Sequence, residues 1–208
     1  MSTKIQQSTI EEIVEFHGHM CPGLAIGVRA AEAALREVGP HASDEEVVAL
    51  VETDMCAVDA VQFLTGCTFG KGNLVHKDWG KNAFTFWRRS DGKSVRISTL
   101  ADVFGAEDDK ERRELFAKVR EGTATEDETA RFHKLHLARS QAILDAPEEA
   151  VIAIRPNFNP VPRAARIHRS IVCAQCGEPT METRIQLLEG KQLCPPCFEQ
   201  LFSAGSKS

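Results

Sequence analysis

The sequence contains no apolar run long enough to cross a bilayer. The pattern of a signal peptide is also missing: residues 1–7 are polar and 10–16 is interrupted by glutamates. These absences set the expectation of a soluble, cytoplasmic protein with no membrane partner. A complete disulfide set is excluded too, because the cysteines number seven. In such a protein that many thiols point to metal binding or chemistry. Strong charge of one sign is absent: the net charge is −5, which argues against nucleic-acid binding by the chain as a whole. No internal repeat appears, and the one biased stretch is a short Ser/Gly-rich C-terminus, expected to fray. What remains, in 208 residues with ordinary apolar and charged fractions, is room for one domain and something small.

The charge is unevenly spread. From Arg155 onward seven basic residues face four acidic ones, so the tail is +3 and the rest −8. This sign change suggests a boundary, and the Pro-containing stretch near it suggests a linker. The expected division is a core over 5–155, a linker over 156–170 and a small domain over 171–202.

Along the core, Ser8 or Thr9 is expected to cap a helix over 10–16, and Pro22 to open a second helix running to about Val38. Small residues such as Ala25, Gly27 and Ala30 would let that helix approach its neighbours closely. A strand is expected over 47–51. Asp54 is expected to cap a third helix over 56–64, closed by Gly66. Residues 83–89 and 94–98 flank a Ser-Asp-Gly-Lys turn and read as a hairpin. A charged helix over 107–121 and a capping box at Thr125-Glu126-Asp127-Glu128 read as a helical hairpin ending before Pro147. A last strand is expected over 151–154. The fold class is therefore α+β, with helices on a mostly antiparallel sheet.

Two sets of residues carry chemistry. Cys173, Cys176, Cys194 and Cys197 form two C-x2-C knuckles seventeen residues apart. This is the spacing of a closed tetrahedral zinc site, and a hairpin over 183–191 would make it a zinc ribbon. Paired knuckles disfavour the rival redox reading, and the modest positive charge supports nucleic-acid binding only weakly. A domain this small leans on its metal for stability.

The second set centres on Phe16-His17-Gly18-His19-Met20-Cys21-Pro22-Gly23. Cys21 precedes a helix-starting proline and should be its N-cap, where free N–H groups and the helix dipole favour thiolate. A buried cysteine with satisfied histidines would explain any one of these residues; three around one helix start point to a site. Cys56 falls at another helix start, Asp59 lies one turn on, and Cys67 follows that helix. Together these residues exceed what a structural zinc needs and suit an open site for Zn2+ or another divalent transition metal. Because His17, His19 and Cys21 alternate, the expected ligands are Cys21 and Cys56 with one histidine, leaving Cys67 as either a ligand or core. Should the site be catalytic, Cys21 is the candidate nucleophile or thiolate ligand and His19 the proton carrier. The Gly-rich stretch 66–73 lacks P-loop spacing and reads as a shaped loop near the site. His76 and Trp79 are noted as pocket candidates. His133 and His136 read as a solvated face, and Asn82 as hairpin packing.

These segments, with Cys56-Ala57-Val58-Asp59-Ala60 and Gly66-Cys67-Thr68-Phe69-Gly70-Lys71-Gly72, closely resemble the FmdE family of formylmethanofuran dehydrogenase proteins over residues 5 to about 155. The resemblance implies an α+β core that forms homodimers. It also implies a metal cavity on His17, His19, Cys21 and Cys56, with Asp59 and Cys67 nearby. An appended zinc ribbon is a variation of that family. Its name reflects association with a molybdenum or tungsten enzyme whose pterin chemistry resides in other polypeptides. The chain has no pterin or iron–sulfur spacing of its own. The resemblance therefore implies an accessory or metal-handling partner of formylmethanofuran or formate-type dehydrogenases. The competing expectation is a non-enzymatic dimeric regulator or scaffold whose ribbon binds nucleic acid or a protein.

Overall fold

The computed structural model describes residues 4–40, 44–103 and 110–205. The chain divides into two compact units, Met1–Ala164 and Ala165–Ser208. No helix among the described residues is long and apolar enough to cross a membrane.

The first unit is built around one helix. Helix α1 spans Gln7–His17 and α2 spans Pro22–Val38. Twelve of the seventeen α2 residues are buried, so this helix is enclosed on nearly all sides. Strand β1 (Val47–Val51) leads to α3 (Ala57–Thr65) and β2 (Leu74–His76). The hairpin is β3 (Ala83–Arg88) and β4 (Ser94–Thr99). Helices α4 (Lys110–Glu121) and α5 (Glu126–Asp145) form the helical hairpin, and α6 (Glu148–Val151) precedes β5 (Ile152–Pro156).

The sheet order is β2-β1-β3-β4-β5, with β1 and β2 parallel and the other pairs antiparallel. Register places Ala49 opposite Phe86, Val51 opposite Phe84, and Phe84 opposite Ile97. These alternate positions share one face and join α2 in a single apolar core. On the opposite face Glu52, 2% exposed, takes a bidentate pair from Arg96 at 2.9 and 2.8 Å, which offsets burial of the carboxylate. That pair fixes the start of the loop leading to α3.

Two arginines, Arg29 buried and Arg88 half-buried, close helix ends. Arg29 in α2 donates to the carbonyls of Leu144 at 2.6 Å and Ala146 at 2.8 Å, at the end of α5. Arg88 in β3 donates to the Val38 and Pro40 carbonyls, where α2 ends. Terminal carbonyls that no helix can satisfy are thus held by side chains from elsewhere.

Several expectations are corrected. Helix α1 begins at Gln7 with Gln6 as N-cap and no side-chain cap, so neither Ser8 nor Thr9 plays that part. Cys56, rather than Asp54, holds the N-cap position of α3. Val151 closes a short helix instead of opening a strand. The parallel strand β2 was not expected, because three residues are too few to show a period. The capping box at Thr125 and Glu128 is present, with both reciprocal bonds. The expected helix start at 107 and the last residues of the Ser/Gly-rich tail lie outside the described residues. Residues 157–169 form no helix or strand, yet the early part is tied down: Trp87 Nε1 donates to Asn159 and Arg89 to Pro162.

The second unit has two short hairpins and a helix. Strand β6 (Ser170–Val172) pairs with β7 (Pro179–Met181), and β8 (Gln186–Leu188) with β9 (Lys191–Leu193). Helix α7 (Pro195–Gly205) follows. Only the hairpin around Glu189-Gly190 was expected. Its strands start later than the sequence suggests, because Glu182–Arg184 forms a 3-10 turn.

Candidate metal centres

Cys21 is the N-cap of α2, in extended backbone (φ −143°, ψ 162°) as its position before proline requires. Its Sγ accepts the Leu24 N–H at 3.3 Å. Cys56 stands at the start of α3, and the two helix starts abut because glycines face them. A Cβ added to Gly27 would lie 2.3 Å from the Ala57 carbonyl oxygen, and one added to Gly23 would lie 3.2 Å from Cys56 Cβ. The third side chain comes from the end of α1. There Gly18 turns the chain with φ 94° and closes the helix on the Val14 carbonyl at 2.7 Å. This leaves His17 with Nε2 4.0 Å from Cys21 Sγ and Nδ1 2.6 Å from Asp59 Oδ2.

The donor atoms of His17, Cys21 and Cys56 all lie within 4.8 Å of one another. Two sulfurs and an imidazole suit a thiophilic transition metal. A carboxylate on the far ring nitrogen leaves Nε2 as the donor atom turned towards Cys21. The donor set therefore fits such an ion. Burial pushes the Cys21 thiol up to about 11, the Leu24 N–H only partly offsetting it. This corrects the expected thiolate, since loss of water outweighs the helix start, and deprotonation there calls for a cation.

His19 and Cys67 stand outside this group. The His19 ring lies 4.7 Å from that of His17 and lines the cleft beside the sulfurs. Cys67 is fully buried, its Sγ donating to the Val47 carbonyl at 3.3 Å, so it serves the packing under β1. The Gly-rich loop closes on itself, Asn73 accepting from Thr68 N and donating to Val47, and does not line the cleft. His76 and Trp79 are exposed and do not line it either.

The cleft itself has a volume of about 500 Å3. Asn82, Arg112, Phe116 and His136 reach it, and nothing in their sequence context indicates that they should. The α4–α5 hairpin brings the last three across from far along the chain. His136 is half-buried and paired with Arg112, which corrects its reading as a solvated residue. Its spacing from His133 carries no sign of this. His133 itself is exposed.

In the second unit the sulfurs of Cys173, Cys176, Cys194 and Cys197 also lie within 4.8 Å of one another. The Cys176–Cys194 separation is 3.8 Å. Sulfur–zinc bonds of about 2.3 Å in a tetrahedron place sulfurs about 3.8 Å apart, so the cluster fits a closed zinc site. Backbone N–H groups of Cys176 and Cys194 hold the Cys173 thiol down to about 6, while the neighbouring Cys194 pushes Cys197 up to about 12.

Residues 16–153 match the sequence pattern of FmdE, described as "Molybdenum formylmethanofuran dehydrogenase operon". The chain belongs to the FmdE family. Residues 168–201 match the prokaryotic dksA/traR C4-type zinc finger. A relative from Archaeoglobus fulgidus, named a probable S-adenosyl-L-methionine-binding protein, is 37% identical over 180 residues. That match covers 83% of this chain, which spans 48% of the relative's length. The crystal structure of a tungsten formylmethanofuran dehydrogenase FmdE-like protein from Syntrophus aciditrophicus shares the fold. Its TM-score is 0.62 at 24% identity, covering 95% of this chain and 96% of that one. The FmdE assignment agrees with the resemblance read from the sequence.

Proposed function

We propose that this FmdE protein binds zinc or another divalent transition metal through His17, Cys21 and Cys56, with one coordination position facing the cleft. We further propose that it serves as an accessory or metal-handling partner of a molybdenum or tungsten formylmethanofuran or formate-type dehydrogenase. The observation that carries the metal reading is the convergence of three soft donors within 4.8 Å, beside a cleft and with Asp59 orienting the histidine. The operon association in the family's description supports the partner reading. For any reaction at this site we assign Cys21 as the thiolate ligand and His19 as the proton carrier, a reading supported by both lining the cleft. The working unit is proposed to be a homodimer in the cytoplasm, and light scattering of the purified chain checks the oligomeric state.

Metal analysis tests the site. Wild-type protein is expected to hold two ions per chain, Cys21→Ser losing one and Cys173→Ser the other. One ion per chain, lost only with Cys173→Ser, would overturn the core site and favour a scaffold whose finger binds nucleic acid or protein. Affinity capture from cells containing a molybdenum or tungsten dehydrogenase tests the partner.

A further inference from the structure

Cys21 and Cys56 belong to different helix starts, and helix packing brings their side chains together. The Cβ position of Gly23 lies 3.7 Å from Cys21 Sγ and 3.8 Å from Cys56 Sγ, so both sulfurs flank one glycine. The two sulfurs are themselves within 4.8 Å of one another. A disulfide needs them about 2.05 Å apart, which leaves a gap of under about 3 Å. Side-chain rotation closes a gap of that size, and the contact given up is the Leu24 N–H bond to Cys21 Sγ. Both cysteines line the cleft, yet their access differs: Cys21 is 4% exposed, whereas Cys56 is half-buried. Cys67, the third thiol of the first unit, is fully buried, donates to the Val47 carbonyl and stands outside the cluster.

We propose that Cys21 and Cys56 form a reversible dithiol–disulfide pair that exchanges with small-molecule disulfides, with Cys56 reacting first. Cys56 Sγ attacks one sulfur of the small disulfide and its S–S bond breaks. One half stays on Cys56 as a mixed disulfide, and the other leaves as a thiol carrying the proton that Cys56 gave up. Cys21 Sγ then attacks the Cys56 sulfur, and the second half leaves as a thiol with the Cys21 proton. The pair loses two electrons and two protons, and the small disulfide becomes two thiols. Because the resolving thiol is already beside Cys56, the second step is intramolecular and the mixed disulfide does not accumulate. In a reducing compartment such a bond is transient, which suits a redox-sensing pair. The exchange stands without the metal reading and meets it at one point. A sulfur tied in the disulfide no longer offers a thiolate, so oxidation closes the core to an ion.

Peptide mapping by mass spectrometry provides the test. The full chain is reduced and given one equivalent of zinc, which a closed four-sulfur finger holds more tightly than an open three-donor site. It is then treated with hydroxyethyl disulfide, quenched in acid and digested with trypsin and chymotrypsin, which separates Cys56 from Cys67. A cross-link between Cys21 and Cys56 is expected, reversed by dithiothreitol, with Cys67 unmodified. Cys21→Ser should stop at the mixed disulfide on Cys56. Cys56→Ser should react at Cys21 roughly tenfold or more slowly, because that sulfur is shielded. A mixed disulfide persisting on Cys56 in the wild type, a cross-link to Cys67, or no reaction at either thiol would overturn the proposal. Cobalt uptake scores the metal reading separately. Cross-linking in a chain that takes no cobalt at Cys21 would sink the metal reading alone. Cobalt uptake by a reduced core that forms no cross-link when metal-free would sink only the exchange. Where both hold, the oxidised chain should lose all cobalt uptake at the core and keep its finger zinc.

Discussion

In the finger, four sulfurs are gathered from residues 173–197 by two short hairpins and the start of α7. In the core, three donors come from the ends of three helices spread over residues 17–56, and they meet only because those helices pack. The finger has a small apolar cluster made largely of its own cysteines, with Leu193. The core site borders a large cluster centred on α2. Where burial is scarce a metal can stand in for the core; where burial is ample the fold itself holds the donor atoms together. The thiols reflect this: burial raises Cys21, whereas backbone N–H groups lower Cys173.

Removing zinc from the finger should have the largest effect. Cys173→Ser or a strong chelator is expected to unfold residues 165–205 while the first unit keeps its NMR dispersion, since structural zinc contributes about 10–16 kcal/mol. A first unit that unfolds with it would break the comparison. Next comes Arg29→Met, about two turns along α2 from Cys21. It strands buried carbonyls at the end of α5, and urea unfolding should show a loss of about 3 kcal/mol in the first unit, with finger zinc retained.

Asp59→Asn keeps the shape but weakens the hold on His17. Core affinity should fall roughly ten- to a hundredfold in chelator competition, with the finger unaffected. The smallest effect is kinetic. Metal capture begins at a thiolate, so its rate at Cys173 should level off above about pH 7, that thiol being held at about 6. Capture at Cys21, held at about 11, should keep rising through pH 9. Stopped-flow mixing with cobalt, using Cys173→Ser and Cys21→Ser to isolate each site, distinguishes the two profiles.

Local features were legible in advance. The paired knuckles declare a tetrahedral site, Cys21-Pro22 declares an N-cap, and Thr125 with Glu128 declares a helix start, because each is settled within a few residues. The strand β2, the roles of Arg29 and Arg88, and the reach of Asn82, Arg112 and His136 into the cleft were not. Those depend on which distant elements become neighbours. His136 shows the reason: among basic residues on an amphipathic helix it reads as solvated until another helix folds against it.

By itself the sequence determined the α+β class, the two families of cysteines and the helix start that Cys21 caps. These follow from covalent spacing and backbone preference, which act over a turn or two. Only the tertiary structure decided that His17 rather than His19 joins the two sulfurs, that Cys67 packs under β1, and that an arginine and a histidine face the cleft. Each of those outcomes rests on close packing, where a glycine such as Gly27 lets two helices approach and so sets the distance between side chains far apart in the chain.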